Sequence, residues 1–151
     1  MNFININKEN MMKSLVIALA FFTLVGCGGP KSTTITIQPD GNKMAYLTKE
    51  FTVKAGQEVT LIMDNTATSE VMKHNIVILN DKSKINEVGM AALKAKDYLP
   101  EHPSIIVATA MADAGSKSEV TFTAPSESGE YTFICTYPGH YAMMQGVMIV
   151  K

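Results

Sequence analysis

The sequence predicts an all-β protein, a β-sandwich of about seven or eight antiparallel strands with one helical insertion. Short segments in which apolar and polar residues alternate recur along the chain, and turn-forming Gly and Pro separate them. Only residues 85–99 show the spacing of a helix. The 151 residues, 46% of them hydrophobic, suffice for one domain with its own core.

The predicted strands begin at Thr33 and continue to the C-terminus. The segment after His74 is almost continuously apolar, so we expect both of its faces to be buried, whereas the others alternate. The predicted strands are residues 33–38, 51–53, 59–63, 75–79, 105–107, 120–122, 131–135 and 147–150. The helical insertion has apolar residues at positions 85, 88, 92, 95 and 99, and Pro100 is expected to end it.

Residues 1–26 are expected to be a signal peptide, because Lys13 precedes a short apolar run. The run ends in Leu24-Val25-Gly26-Cys27, which resembles the lipobox of bacterial lipoproteins. This resemblance implies that Cys27 is acylated and that residues 27–33 form a flexible tether to a membrane, with the outer membrane slightly favoured. The alternative is an ordinary signal peptide with an incidental cysteine.

Charge and cysteine content limit the classes of function that this protein can have. The formal net charge is −1, and the chain has neither arginine nor a basic run, which excludes nucleic acid as a partner. Exported proteins usually pair their cysteines, yet acylation of Cys27 leaves Cys135 without a partner. Ligation of a metal explains a lone thiol in an oxidising compartment.

Candidate metal ligands cluster near the C-terminus. Cys135, His140 and Met144 lie close together in the sequence, and His74 stands at the head of the apolar strand. Two imidazoles and a thiolate in a trigonal plane, with a weak axial thioether, form the ligand set of a blue-copper electron-transfer site. Met143 is an alternative to Met144 as the axial ligand. The residue types therefore predict one copper ion that cycles between Cu(I) and Cu(II).

Each candidate ligand also has a simpler interpretation when it is taken alone. His74 can be a satisfied strand-end histidine, Cys135 a buried inert thiol and Met144 a core filler. A copper oxidase or nitrite reductase needs a second, histidine-based copper site, and His102 is the only other histidine. We interpret His102 as a surface residue. A copper-binding or trafficking protein without electron-carrier duty remains the alternative function, and zinc could occupy the same ligands.

At these residues the chain resembles the azurins, a family of bacterial cupredoxins. The similarity covers residues 34–151 and is most specific in the loop from Cys135 to His140 followed by Met144. Residues 71–75, 96–99 and 118–122 resemble further azurin segments. The resemblance implies a cupredoxin-like Greek-key β-sandwich and a monomeric electron carrier, not an enzyme. Its implied partners are c-type cytochromes or periplasmic reductases and peroxidases.

The resemblance also implies roles for individual residues. His74, Cys135 and His140 would be equatorial copper ligands and Met144 the axial ligand. The backbone carbonyl of Lys73 would be a distant fifth contact, although azurins usually have glycine there. Asn75 would join the two ligand segments by hydrogen bonds. An apolar docking face around His140 would consist of Val71, Met72, Tyr137, Pro138, Gly139 and Met143.

Overall fold

The computed structural model describes residues 31–151, so the expected signal peptide and Cys27 lie outside the described residues. The prediction of an all-β sandwich with one helical insertion is confirmed, with eight strands in this range. The strands are β1 (Thr33–Ile37), β2 (Glu50–Val53), β3 (Glu58–Asp64), β4 (Val77–Leu79), β5 (Ile105–Ala108), β6 (Lys117–Thr123), β7 (Gly129–Ile134) and β8 (Gln145–Val150). The helical insertion separates β4 from β5.

The strands form two sheets, one of three strands in the order β1-β3-β6 and one of five in the order β2-β8-β7-β4-β5. The expectation of purely antiparallel pairing is wrong for two pairs, because β1 runs parallel to β3 and β2 runs parallel to β8. Short hairpin turns enforce antiparallel pairing between consecutive strands. The successive strands β1 and β2 lie in different sheets, so no hairpin fixes their direction.

The core lies between the two sheets and follows the predicted alternation. In β3 the inward residues Val59, Leu61 and Met63 are fully buried, and their neighbours along the strand are partly exposed. Met148 and Val150 of β8 belong to the same buried cluster. Alternation places every second side chain on the inner face, so the sequence pattern alone sets which residues meet there.

A ring and a glycine interlock at the centre of this core. Phe133 of β7 lies directly opposite Gly146 of β8. Its ring packs against Tyr46 and Phe51, with centroid separations of 5.2 and 5.6 Å. A Cβ atom on Gly146 would come within 2.1 Å of the Phe133 ring. The absence of a side chain at position 146 therefore makes room for the ring.

The helical insertion is shorter and more broken than a continuous helix over residues 85–99. Helix α1 spans Ile85–Ala92, and short 3₁₀ segments at Lys82–Lys84 and Lys96–Tyr98 flank it. The helix cannot extend to Pro100, because Asp97 and Tyr98 adopt left-handed φ values of 51° and 57°. The apolar period correctly indicated the buried side of the helix, since Val88 packs in a small cluster with residues of strands β4 and β7.

Strand pairing brings distant parts of the chain to one end of the sandwich. β4 and β7 are antiparallel neighbours, with Val77 opposite Ile134. The residues just before β4 therefore lie beside the residues just after β7. His74 precedes β4 and Cys135 follows β7, so this register places them side by side. Within residues 31–151, no helix is long and apolar enough to cross a membrane.

Candidate metal centre

Three nitrogen and sulfur atoms converge at this end of the sandwich. The Sγ atom of Cys135 lies 3.8 Å from Nδ1 of His74 and 3.6 Å from Nδ1 of His140. The three residues are buried, and their ligand atoms all lie within 4.8 Å of one another. A metal bound in a trigonal plane, with metal–nitrogen bonds of about 2.0 Å and a metal–sulfur bond of about 2.3 Å, separates sulfur from nitrogen by about 3.7 Å. The three side chains thus fit a single ion.

Backbone hydrogen bonds fix the three ligand-bearing segments. His74 forms a two-way bridge with Ala112, with N–H···O distances of 3.1 and 2.8 Å. The amide of Cys135 donates to the carbonyl of Met144 at 3.1 Å, and the amide of Met144 donates to the carbonyl of His140 at 2.8 Å. Gly139 makes the intervening turn with a φ of +81°, a conformation that favours glycine. The C-terminal loop is therefore closed on itself.

Asn75 links the two segments that carry the ligands. Its side-chain amide donates to Oγ1 of Thr136 at 2.8 Å, and its Oδ1 accepts the backbone N–H of Thr136 at 2.8 Å. Both residues are fully buried. Tyr46 adds a third bond, because its hydroxyl donates to the carbonyl of Asn75 at 2.6 Å. These bonds hold His74 and Cys135 in register without a metal.

Burial keeps the ligand residues uncharged in the metal-free protein. Desolvation lowers the pKa of His74 to about 4, helped by the neighbouring His140, and burial also lowers the pKa of His140. Burial raises the pKa of the Cys135 thiol to about 11, although the backbone N–H groups of Asn75 and Tyr137 act in the opposite direction. Neutral imidazoles have free lone pairs, and a bound cation displaces the thiol proton. A thiolate with two imidazoles suits copper.

The metal-free protein is expected to lose stability in acid. Unfolded, an imidazole takes up its proton near pH 6.5, whereas folded His74 stays neutral down to about pH 4. The unfolded state therefore binds more protons in this window, and the free energy of unfolding should fall by about 2 kcal/mol between pH 6.5 and 4, after allowance for solvent screening. Urea unfolding at several pH values measures the slope of the free energy of unfolding against pH. A His74→Gln variant should show a clearly smaller slope, with the remainder coming from His140, whose pKa is also lowered by burial. An equal slope in this variant would contradict the assignment.

Met144 and Met143 differ sharply in their environment. Met144 is fully buried and belongs to the same cluster as Cys135, whereas Met143 is 62% exposed.

Lys73 precedes His74, and its ammonium group pairs with the carboxylate of Asp113 at 2.7 Å. The Lys73 side chain is thus engaged at the surface.

The residues of the expected docking face differ in their exposure. Val71 and Met143 are 69% and 62% exposed. Gly139 is also exposed, while Met72, Tyr137 and Pro138 are half-buried. The Tyr137 ring packs edge-on against the His140 ring, with centroids 5.0 Å apart. His140 itself is only 4% exposed, so its contact with the surface is small.

Sequence reasoning missed several polar residues that position the site. Besides Tyr46 and Thr136, the buried side chain of Asn65 donates to the carbonyls of Met72 and Ala112 at 2.8 and 2.9 Å. These bonds hold both strands of the His74 bridge. Isolated buried polar residues produce no periodic pattern, so alternation could not have found them.

The interpretation of His102 as a surface residue is wrong. Its side chain is only 10% exposed, and its Nε2 lies 3.1 Å from the carboxylate of Glu87 in α1. Its Nδ1 accepts the backbone N–H of Ser104 at 3.1 Å. The flanking prolines indicated a loop, but that loop folds back onto the helix.

Comparisons with known proteins agree with this geometry. The family of copper binding proteins that includes plastocyanin and azurin matches residues 33–151. Auracyanin-A of Chloroflexus aurantiacus is 36% identical over 159 aligned positions, which cover 93% of this chain and 96% of that protein. An azurin of Pseudomonas chlororaphis is 36% identical and covers 73% of this chain and 92% of its own length.

Solved structures give the same result. The crystal structure of dithionite-reduced auracyanin from Roseiflexus castenholzii superimposes with a TM-score of 0.72 at 44% identity, covering 81% of this chain and 99% of that one. The family match spans the whole sandwich and includes His74, Cys135 and His140. These relatives are electron-transfer proteins rather than enzymes, and the prediction of one copper ion is confirmed at the level of the family. The chain belongs to the plastocyanin/azurin family of copper-binding proteins.

Proposed function

We propose that His74, Cys135 and His140 hold one type 1 copper ion in a trigonal plane, with the Met144 thioether as the axial ligand. The observation that carries the proposal is the sulfur–nitrogen spacing of 3.6 and 3.8 Å, which suits one ion. The burial of Met144 and the exposure of Met143 favour Met144 for the axial position. The backbone carbonyl of Lys73, the residue before His74, is a distant fifth contact in this proposal, as the resemblance to the azurins implies.

The bound copper would supply a one-electron step between Cu(I) and Cu(II), and the protein would hold its surroundings constant. The buried Cys135 and His74 exclude water from the site. The hydrogen bonds between Asn75 and Thr136 resist movement of the ligand segments. A site that changes little between oxidation states has a small reorganisation energy, which favours rapid electron transfer. An apolar surrounding also tunes the redox potential.

The proposed partners are c-type cytochromes or periplasmic reductases and peroxidases that bind a monomer transiently. They would dock on the apolar face around His140 and exchange electrons through its ring. Support comes from the exposure of the apolar side chains of Val71 and Met143, which lie three residues from the ligands His74 and His140 in the chain. Such an exposed apolar patch is typical of a protein-binding site. The proposed docking residues are Val71, Met72, Tyr137, Pro138, Gly139 and Met143.

The proposed location is the periplasmic side of a membrane, with the outer membrane slightly favoured. Residues 1–26 would be removed as a signal peptide, Cys27 would carry the lipid, and residues 27–33 would tether the cupredoxin domain of residues 34–151. Support comes from the lipobox-like sequence and from the free thiol of Cys135. Lipid attachment at Cys27 leaves no second cysteine to pair with Cys135.

Copper binding and redox cycling test this function together. Addition of Cu(II) to the purified protein should produce an intense blue colour that saturates at about one ion per chain, as expected for a single thiolate–imidazole site. Ascorbate should bleach the colour, and reoxidation should restore it without loss over many cycles. A colourless complex, or a colour that does not return, would favour a copper-trafficking or zinc-binding protein instead.

A further inference from the structure

A cleft of about 370 Å³ opens in the surface beside the metal centre. We refer to it as the side cleft. Lys73 and Asp113 form one wall, and Asp97 and Tyr98 of the helical insertion form another. Lys73 immediately precedes the ligand His74, and Asp113 follows Ala112, the bridge partner of His74. Anything that occupies the side cleft therefore lies close to the first ligand segment.

The side cleft also connects to the second histidine through aromatic rings. Tyr98 packs edge-on against Tyr137 at a centroid distance of 5.4 Å, and Tyr137 packs against His140 at 5.0 Å. The hydroxyl of Thr136 donates to the carbonyl of Tyr98 at 2.7 Å. Two rings thus separate the side cleft from His140, and a hydrogen bond joins its wall to the residue next to Cys135.

The backbone at this wall is strained. Asp97 and Tyr98 both have left-handed φ values, a conformation that is unfavourable for residues other than glycine. Strained backbone persists where surrounding contacts hold it, and it clusters at functional sites. Here the Thr136 hydroxyl and the Tyr137 ring hold Tyr98 in place. The position of the cleft wall therefore depends on the loop that carries Cys135 and His140.

The chemistry of the lining suits a long side chain with a positive end. Leu99 and Met111 supply apolar surface, and Tyr98 supplies an aromatic ring. The ammonium group of Lys73 already pairs with Asp113 here, at 2.7 Å. Among the described residues, Asp97 makes no ion pair, so one carboxylate remains for an incoming cation. Lys96 precedes Asp97 but does not line the side cleft.

We propose that the side cleft receives a lysine or arginine side chain of the redox partner protein and thereby orients the partner next to Tyr98 and His140. This inference rests on the proposed electron-carrier function and adds a charged contact to its apolar docking face. The partner's cation would meet the carboxylate of Asp97, and its aliphatic stem would lie on Leu99 and Met111. Charge complementarity of this kind mainly raises the association rate.

The first test uses Asp97→Asn, because asparagine tolerates the left-handed backbone that this position requires. The reduced, copper-loaded protein gives one electron to the ferric haem of a lysine-rich c-type cytochrome, and no proton moves. At low salt the variant should react about threefold more slowly than the wild type, with a weaker salt dependence. The reaction with anionic ferricyanide should not slow. An unchanged rate with the cytochrome would overturn the proposal.

A matched control separates the side cleft from net charge. Glu127→Gln removes the same charge two residues before β7, at the end of this strand that lies about 20 Å from Cys135. It should leave the cytochrome rate within error of the wild type. If it slows the reaction as much as Asp97→Asn, general charge and not the side cleft guides the partner. Failure of the wild type to reduce either oxidant would instead overturn the electron-carrier function itself.

A second variant fills the space without changing the charge. Ala110 is exposed and lines the side cleft, so Ala110→Trp should block it, whereas Ala114→Trp fills the adjoining recess beside Glu70. In NMR titrations of the metal-free protein with the same cytochrome, the amides of Leu99 and Met111 should shift in the wild type and in Ala114→Trp. They should shift much less in Ala110→Trp. If the amide signals of Leu99 and Met111 do not shift in the wild type, the proposal is refuted.

Discussion

Replacing Cys135 with serine is expected to abolish the blue colour of the copper-loaded protein. The colour of such sites comes from charge transfer between thiolate and copper, and a hydroxyl cannot supply it. Loss of a group that only hydrogen-bonds to a metal ligand already lowers metal affinity by about 10- to 100-fold, so loss of the thiolate should cost at least that much. Visible absorption and copper titration measure both effects.

The fold should survive this change. Serine fits the volume of the fully buried Cys135, and its hydroxyl costs about 1–3 kcal/mol if it finds no hydrogen bond. Circular dichroism should therefore show the same β-sheet signal as the wild type. Met144→Leu is the matched control, because it should keep the colour and shift the redox potential. A variant Cys135→Ser that stays intensely blue would refute the ligand assignment.

Gly146→Ala is expected to have the largest effect on stability, lowering the free energy of unfolding by about 3 kcal/mol. The new methyl group would lie within 2.1 Å of the Phe133 ring. The ring cannot retreat easily, because Tyr46 and Phe51 pack against it at centroid distances of 5.2 and 5.6 Å. Chemical denaturation of the metal-free protein measures the loss.

A control and a rescue make this prediction specific. Gly129→Ala changes another glycine in the same strand pair, where the nearest atom to the new Cβ is 3.9 Å away, so it should cost little. In a protein that already carries Phe133→Leu, the change Gly146→Ala should cost less stability than it costs in the wild type. The smaller side chain at position 133 leaves room for the new methyl group. Equal losses in Gly146→Ala and Gly129→Ala would show that contact with the Phe133 ring does not determine the effect.

The interlock of Phe133 and Gly146 also bears on the metal centre. Phe133 is two residues before Cys135 on the same face of β7, and Gly146 is two residues after Met144. Both ends of the ligand loop therefore rest on this packed pair. A loop anchored in this way keeps its shape when the charge on its metal changes, which is the property an electron carrier needs.

Several parts of the fold could be predicted because they depend on local patterns. Alternation along β3 identifies Val59, Leu61 and Met63 as core residues, and all three are fully buried. The spacing from Cys135 to His140 reveals a ligand loop, because a tight turn must bring these two residues back together. Residue type then points to copper, since a thiolate, two imidazoles and a weak thioether form the ligand set of a blue-copper site.

Other features could not be predicted because they depend on which segments meet. β1 runs parallel to β3, and β2 runs parallel to β8. These directions depend on which strands are neighbours in each sheet. The break in the helical insertion accompanies a left-handed Tyr98 whose carbonyl accepts a bond from Thr136. His102 is covered because its loop folds back to Glu87 in α1. None of these contacts leaves a periodic signal.

The sequence by itself determined the ligand types, the core face of the alternating strands and the resemblance to a copper-binding family. Those properties reside in residue chemistry and in periods of two or four residues, which are visible along a chain. Only the tertiary structure decided that His74 lies 3.8 Å from the Cys135 sulfur and that Tyr46 and Asn65 hold the surrounding backbone. Distances between segments 61 residues apart depend on sheet register and packing, which the linear order does not contain.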